Sequence, residues 1–488
     1  RFKCDWSSDV CSSDLAAPGE NVTVQGNWAD AQPAAVAATP EGTWSVKIKT
    51  PKAGGPYVIT VTAANVLTLH NVLSGEVWVC SGQSNMEMPM KGYGAGAVVN
   101  WDQELAESNI PEIRMITVKK CVADTPKDDF EGAWAVCAPE TMPDFSATGF
   151  SFAKALYKAL GVPIGMIHTS WGGTPAEAWT TREKLLADPD LKPILDRYDA
   201  AKAAYPQALA DFNLAVGAWE EAVKKAKAEG TPEPERPKAP ADPLGPWTGG
   251  ALYNGMIAPI VPYGIRGAIW YQGESNRDRA YQYRKLFPTM IQCWRESWGE
   301  GPFPFYFVQI APFNYREEAG NPATAELREA QMMTLSLENT GMAVTMDIGE
   351  LPDIHPHNKQ EVGRRLALNA LAKTYGRAIE YSGPVYTSMA VEGDAIRLNF
   401  SHADGGLATS DGQAPTCFTI AGDDKNFVPA TAAIDGSSVV VRGDGVTAPV
   451  AVRYGWKDID QPNLCNKTGL PSSSFRTDDW PGVTINNR

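Results

Sequence analysis

Between residues 17 and 73, short runs alternate apolar with polar side chains, as in ENVTVQGNW, TWSVKIKT and PYVITVTAANVLTLHNV, with the Pro-Lys-Ala-Gly-Gly stretch as a turn. Successive side chains on a strand point to opposite faces, so this alternation predicts antiparallel β structure, a sandwich-like module over residues 16–74. Short of its first strands, such a module is expected to expose a sheet edge.

The period changes at residue 75. Apolar runs at 76–80, 162–168, 265–271, 303–310 and 342–348 predict buried strands, and the stretches 150–160, 280–298, 325–338 and 359–375 carry helical spacing. Strands alternating with helices indicate a mainly parallel sheet covered on both faces, an α/β domain over 75–378. Residues 182–242 interrupt it: the first part is rich in Ala, Leu and Lys and predicts helices, and GTPEPERPKAPADP predicts an exposed Pro-rich connection. This insertion is expected either to be peripheral or to shape a cleft at the rim of an active site. From 379 to 488 the β period returns in PVYTSMAVEGDAIRLNF, TCFTIAG, SSVVVRGD and PVAVRYGW, which predicts a second β module. The Ser-, Asp- and Arg-rich segment 469–480 is expected to pack as a loop on another domain.

Residues 1–15, RFKCDWSSDVCSSDL, fit neither period and contain no apolar core of a signal peptide. They resemble the conceptual translation of a sequencing adaptor, a non-native segment that leaves the location of the protein unread from this terminus. At 488 residues the chain exceeds one ordinary core, and 20% charged with 43% hydrophobic residues suits a folded protein. The formal net charge of -14 opposes a phosphate-binding surface, so nucleic acid is not an expected partner. No uncharged apolar run reaches membrane-spanning length, and no tandem Cys-x-x-Cys pairing announces a metal. Neither a metal nor a cofactor is expected. The cysteines 80, 121, 137, 293, 417 and 465 permit disulfides without requiring them.

The strongest local signal is Cys80-Ser81-Gly82-Gln83-Ser84-Asn85, placed directly after a predicted strand. Open α/β sheets bind ligands at the carboxyl ends of their strands, so Ser84 stands where a nucleophile belongs, although a serine after Gly-Gln is more often a plain loop residue. A hydroxyl needs a base, and the chain has five histidines: 70, 168, 355, 357 and 402. His70 and His402 fall in the β modules and His168 ends an apolar strand, which leaves His355 and, as the weaker candidate, His357. Asp353 flanks His355 across one residue in a turn, a spacing that sets a carboxylate beside an imidazole nitrogen. Pro356 is expected to open the helix that follows. Two further glycine loops offer oxyanion donors: Gly172 or Gly173 in the 168–175 stretch, and the side-chain amide of Gln272, joining the amide of Ser84. The tryptophans 171, 179, 270, 294 and 298 suit sugar faces but more often fill cores.

The blocks GEVWVCSGQSNMEMPM, IHTSWGGTPAEAW, IRGAIWYQGESN and DIHPHNKQEVGRRLAL, with LYNGMIAPIVPYGI, FPFYFVQIAPF and GLPSSSFRTDDW, resemble sialate O-acetylesterases and their bacterial relatives, carbohydrate acetylesterases of the SGNH-hydrolase group. The resemblance covers the chain from about residue 17 onward. It implies a flavodoxin-like, three-layer α/β hydrolase domain with flanking β-sandwich-like modules, Ser84 as nucleophile and His355 as base. The oxyanion donors it implies are the Ser84 amide, a glycine of the Gly172-Gly173 pair, and Gln272 where many SGNH enzymes carry asparagine. The wider group ends on Asp-x-x-His, whereas this chain has Asp353-Ile354-His355, one residue shorter. Asp353 is therefore the expected acid, with Asp347 and Glu274 as substitutes. The implied substrates are acetylated mono-, oligo- or polysaccharides, either sialic acid or plant polysaccharide such as xylan, without a cofactor, and members are commonly secreted or periplasmic. Two other readings stay open: a deacylase for longer acyl esters or thioesters, and a carbohydrate-binding protein with an inactive core.

Overall fold

A computed structural model describes residues 9–94, 96–261, 263–315 and 321–488, with side chains from residue 16 onward. Its centre is a seven-stranded sheet built from β1 (Glu76–Gly82), β2 (Ile110–Thr117), β3 (Ala135–Cys137), β4 (Ile164–Ser170), β5 (Gly267–Tyr271), β6 (Phe305–Val308) and β7 (Thr340–Ala343). The spatial order is β7-β6-β5-β1-β4-β2-β3, and every neighbouring pair is parallel except β2 with β3. With β2 and β3 set aside as an added edge, the remaining order β4-β1-β5-β6-β7 is the flavodoxin-like one, with its switch point at β1.

Strands β1, β4 and β5 are buried on both faces, as their unbroken apolar runs require. One face is covered by α2 (Ala147–Leu160) and α6 (Lys359–Lys373), which contribute Phe150, Phe152, Leu156, Val362 and Leu366 to a core around Trp78. The other is covered by α4 (Ala280–Trp298) and α5 (Ala323–Met333). Here Trp270 of β5 meets Trp179, Phe287 and Trp294, so Trp179, Trp270, Trp294 and Trp298 fill the core. Two details differ from the sequence expectation. Helix α6 starts after Asn358, whose side chain accepts the Glu361 amide, so the asparagine and not Pro356 marks its beginning. The last predicted strand stops at Ala343, because the chain leaves the sheet there to carry the loop that holds Asp347, Asp353 and His355.

The insertion contains one 38-residue helix, α3 (Lys192–Glu229), with Pro206 inside it and only Ile194, Leu195 and Ala226 buried. The Pro-rich return is held against it where Trp219 Nε1 donates to the Pro234 carbonyl at 2.8 Å. In the first β module the strands Asn21–Gly26, Ala34–Ala37, Gly54–Thr62 and Val66–Ser74 form one sheet. The main chain of Asp9–Leu15 lies antiparallel to Thr43–Lys49, so main-chain bonding, which is indifferent to side-chain period, takes up an edge expected to be open. Residues 1–8 lie outside the described part. A seven-stranded antiparallel sheet spans Val385–Glu392 to Phe475–Arg476, with Ile396, Leu398, Val439, Val441 and Val452 inside. At its last strand the chain meets the hydrolase layer: Ser473 Oγ accepts from Gln309 at 2.7 Å and Arg476 pairs with Glu329 at 2.7 Å. Cysteines 80, 121, 137, 293, 417 and 465 are free.

Candidate active site

The register of the sheet decides where chemistry gathers. Gly82 of β1 is level with Ser170 of β4 and with Tyr271 of β5, so three loops leave the sheet side by side at one edge. Gly82 has φ +141°, and a Cβ there would lie 2.1 Å from the Tyr271 carbonyl oxygen, so only glycine lets the chain turn this closely against β5. The Gln83 amide then donates to that carbonyl at 3.0 Å, and Ser84 opens the four-residue helix α1 (Ser84–Glu87), half-buried and facing the loop edge. The Ser84 amide, like other first-turn amides, has no main-chain acceptor among the described residues.

The second loop lies directly on the first. A Cβ on Gly172 would stand 3.2 Å from the Ser84 Cβ. The Gly172 amide donates to Glu87 Oε2, and Glu87 Oε1 pairs with Lys120 at 2.5 Å. The Lys120 ammonium sits 5.2 Å from the centre of the half-buried Trp171 ring. Gly173 is exposed, and its amide has no main-chain acceptor among the described residues, while its carbonyl accepts from Trp247 Nε1 at 2.9 Å.

Gln272 departs from the donor role expected of it. It is fully buried, its Nε2 donates to Thr174 O at 3.2 Å and to Asn276 Oδ1 at 2.7 Å, and its Oε1 accepts from Tyr283 at 2.9 Å. A buried amide must find partners, and here both hydrogens are spent tying two loops together. Of the candidate donors, Ser84 and Gly173 carry amides without a main-chain acceptor among the described residues, the Gly172 amide is held by Glu87, and the Gln272 amide is occupied by Thr174 and Asn276.

A further loop, which follows β7, brings the imidazole. The Asp353 amide donates to Glu350 O at 2.9 Å, closing a turn; Asp353 Oδ1 accepts the His355 amide at 2.8 Å and lies 3.4 Å from His355 Nδ1. The carboxylate therefore faces Nδ1 and leaves Nε2 on the other side of the ring. Two contacts tie this loop to the one that bears Ser84. Asn85 Nδ2 donates to Ile354 O at 2.9 Å, and Tyr93 donates through its hydroxyl to Ser84 O at 3.0 Å while its ring meets the His355 ring edge-on, 5.1 Å between centres. Burial holds the His355 imidazole below its ordinary value; the Lys359 cation adds to this and Asp353 opposes it.

The remaining expected residues have other occupations. Asp347 grips Arg365 with both oxygens at 2.6 Å, and Arg365 also bonds Glu361, which spends Asp347 on anchoring α6. Glu274 is half-buried behind the Ser84 loop, where Oε1 accepts from Asn85 at 2.8 Å and burial of its carboxyl raises its pKa. His357 pairs through Nδ1 with Glu350 at 2.9 Å. His168 is buried between Ser170 and Thr117, pushed down to about 4 by burial, and so stays neutral. Asn85, Tyr93 and Lys359 were not singled out in the sequence; the only signal for Asn85 was its place in the GQSNM block. Among the described residues no group of three or more His, Cys, Asp or Glu could hold a metal, and no helix is long and apolar enough to cross a membrane.

Beside these loops opens a cleft of about 650 Å³. Gly173, Pro175 and Ser275 form one side of it; Arg197 and Tyr198 of α3 and the exposed Trp247 form the other. The insertion thus borders the cleft beside the Gly173 loop.

A flavodoxin-like sheet with a serine turn after β1, tied to a loop after β7 that carries a histidine and an aspartate, is an α/β fold of the SGNH type. The family model of carbohydrate esterase, sialic acid-specific acetylesterase, matches residues 74–210 and 242–374. The chain belongs to this family of carbohydrate esterases. Sialate O-acetylesterase of Rattus norvegicus is 30% identical over 391 residues, covering 71% of this chain and 66% of the rat protein. The chain thus spans about two thirds of that relative. The Homo sapiens sialate O-acetylesterase is 29% identical over 405 residues, covering 75% of this chain and 68% of the human one. Among solved structures, XAC1771, a carbohydrate acetylesterase from Xanthomonas citri, is 34% identical with a TM-score of 0.81, covering 97% of this chain and 96% of that one.

Proposed function

We propose that this protein removes O-acetyl groups from sugars through an acetyl-serine intermediate. Ser84 attacks the ester carbonyl while His355 Nε2 accepts its proton, and Asp353 stabilises the imidazolium from the Nδ1 side. The amides of Ser84 and Gly173 face the developing oxyanion; the Gly172 amide joins them once released by Glu87. His355 then protonates the departing sugar hydroxyl, and water, deprotonated by the same imidazole, attacks the acetyl-serine to release acetate. The observation that carries this reading is the joint of Asn85 with Ile354 and of Tyr93 with both Ser84 and His355, which sets hydroxyl and imidazole on touching loops. The relatives, named for sialate O-acetyl and carbohydrate acetyl esterase activity, support the substrate class. Secretion or a periplasmic location belongs to the same proposal and rests on the family resemblance.

Acetate release measured across O-acetylated sialic acid, acetylated xylo-oligosaccharides and simple acetylated sugars is the test. Release from at least one of them, with octanoyl esters poor, is expected; equal or better turnover of octanoyl esters would contradict the acetyl specificity. In this reading the saccharide lies against Trp247, whose indole stands on the Gly173 loop and is 65% exposed. Trp247→Ala is expected to raise KM for an acetylated oligosaccharide about tenfold and to leave p-nitrophenyl acetate hydrolysis near the parent rate. Equal KM values for the saccharide would remove Trp247 from the substrate path.

A further inference from the structure

Lys359 opens α6 with none of its side chain in contact with solvent. Its Nζ donates to Asn85 Oδ1 at 2.5 Å and lies 5.2 Å from the centre of the Tyr271 ring, and it forms no ion pair among the described residues. A buried ammonium without a touching counter-ion is costly to a fold. Just across Asn85, the half-buried Glu274 leaves its shielded Oε2 without a hydrogen-bond partner among the described residues. Asn85 is the hub: one hydrogen of Nδ2 goes to Glu274, the other to Ile354 O, and Oδ1 takes Lys359. Both of its hydrogens and one lone pair of Oδ1 are used, at the residue that follows Ser84 and on the carbonyl that precedes His355.

We propose that Lys359 is a positioning residue for deacetylation: through Asn85 it fixes the Ser84 loop to the His355 loop, and its ammonium disfavours a second positive charge on the imidazole. This rests on the reading of Ser84 and His355 as nucleophile and base. Four groups bear on the imidazole: Asp353 and His357 from its own loop, the Tyr93 ring from the loop after α1, and Lys359 from α6. Asp353 favours imidazolium; His357 and Lys359 disfavour it. Burial brings Lys359 down to about 7, so the lysine is charged throughout the acid range in which the base is lost. Its charge therefore acts where the acid limb of the rate profile is set.

Two substitutions separate charge from packing. Lys359→Gln keeps a donor for Asn85 and removes the charge; Lys359→Met removes both. The acid limb of kcat/KM for p-nitrophenyl acetate is expected to move to higher pH in both variants, by about half a unit to one unit. The Met variant is also expected to lose about 10- to 100-fold in kcat with KM little changed, as a loosened catalytic geometry would. Melting curves confirm folding, and the Gln variant carries the test if the Met variant does not fold. An acid limb coincident with the parent's in folded Lys359→Gln overturns the proposal, even where kcat has fallen, since a mere packing role lowers the rate without moving the limb. Ser84→Ala, run alongside, distinguishes the two failures: parental turnover there ends the reading of the site, whereas an inactive Ser84→Ala with an unmoved limb in Lys359→Gln ends the Lys359 proposal alone.

Discussion

Ser84→Ala is expected to lower kcat/KM for any acetyl ester by about 10⁴-fold or more while leaving the melting temperature where it was. The two halves of this expectation have separate physical grounds. The loss follows because the hydroxyl is the bond-forming atom, and the other serine at the carboxyl end of β1, Ser81, is fully buried within the strand. Stability is retained because the contacts that hold this turn do not use the hydroxyl. They are the Gln83 amide on Tyr271 O, Tyr93 on the main-chain oxygen of Ser84, and the Asn85 side chain on Ile354 and Glu274. Initial rates with p-nitrophenyl acetate and a thermal melt check both halves. A folded variant with parental activity would move the nucleophile elsewhere.

His355→Gln is expected to cost a comparable amount, because an amide cannot take the serine proton or return one to the leaving hydroxyl. The parent should follow the imidazole. The base works only when neutral, so activity is fully present above its pKa and falls as pH drops through it. Burial and Lys359 hold that value below the ordinary 6.5, with Asp353 opposing, so the acid limb is expected below pH 6.5. A rate profile over the acid range for the parent, with single-pH rates for His355→Gln, is the measurement. Parental rates in the variant, or an acid limb above 6.5 in the parent, would count against His355 as the base. The His357–Glu350 pair on the same loop would then be the next to substitute.

The elements that position this chemistry were legible where local pattern and tertiary demand agree. The stretch 280–298 matches α4 at both ends, because its apolar stripe faces the Trp270 core and Gly299 closes it in a left-handed turn. Strand β2 was missed, since Pro111, Glu112 and Arg114 interrupt its apolar run near the edge of the sheet. The insertion showed helical composition, but nothing local announces that 38 residues run as one helix through Pro206. At the site, glycine after a strand made the Ser84 turn readable, because the backbone geometry there excludes side chains. Lys359 and Asn85 meet across 274 positions of sequence, and Gln272 finds Thr174 across 98, distances over which spacing carries no information. That is why Gln272, an amide on a promising loop, read as an oxyanion donor and proved to be a brace. Trp247 is hidden for the opposite reason: nothing in an isolated tryptophan of a Pro- and Gly-rich stretch announces that its indole bonds the Gly173 carbonyl.

The proposed mechanism requires a covalent acetyl group on one hydroxyl. Acid quenching during turnover of p-nitrophenyl acetate, followed by peptide mapping, reads it directly. The expected result is the mass increment of a single acetyl group on the peptide that contains Ser84, absent from Ser84→Ala. Turnover with no acetylated peptide in the quenched parent, or with the acetyl group on a different residue and the Ser84 peptide unmodified, would contradict it.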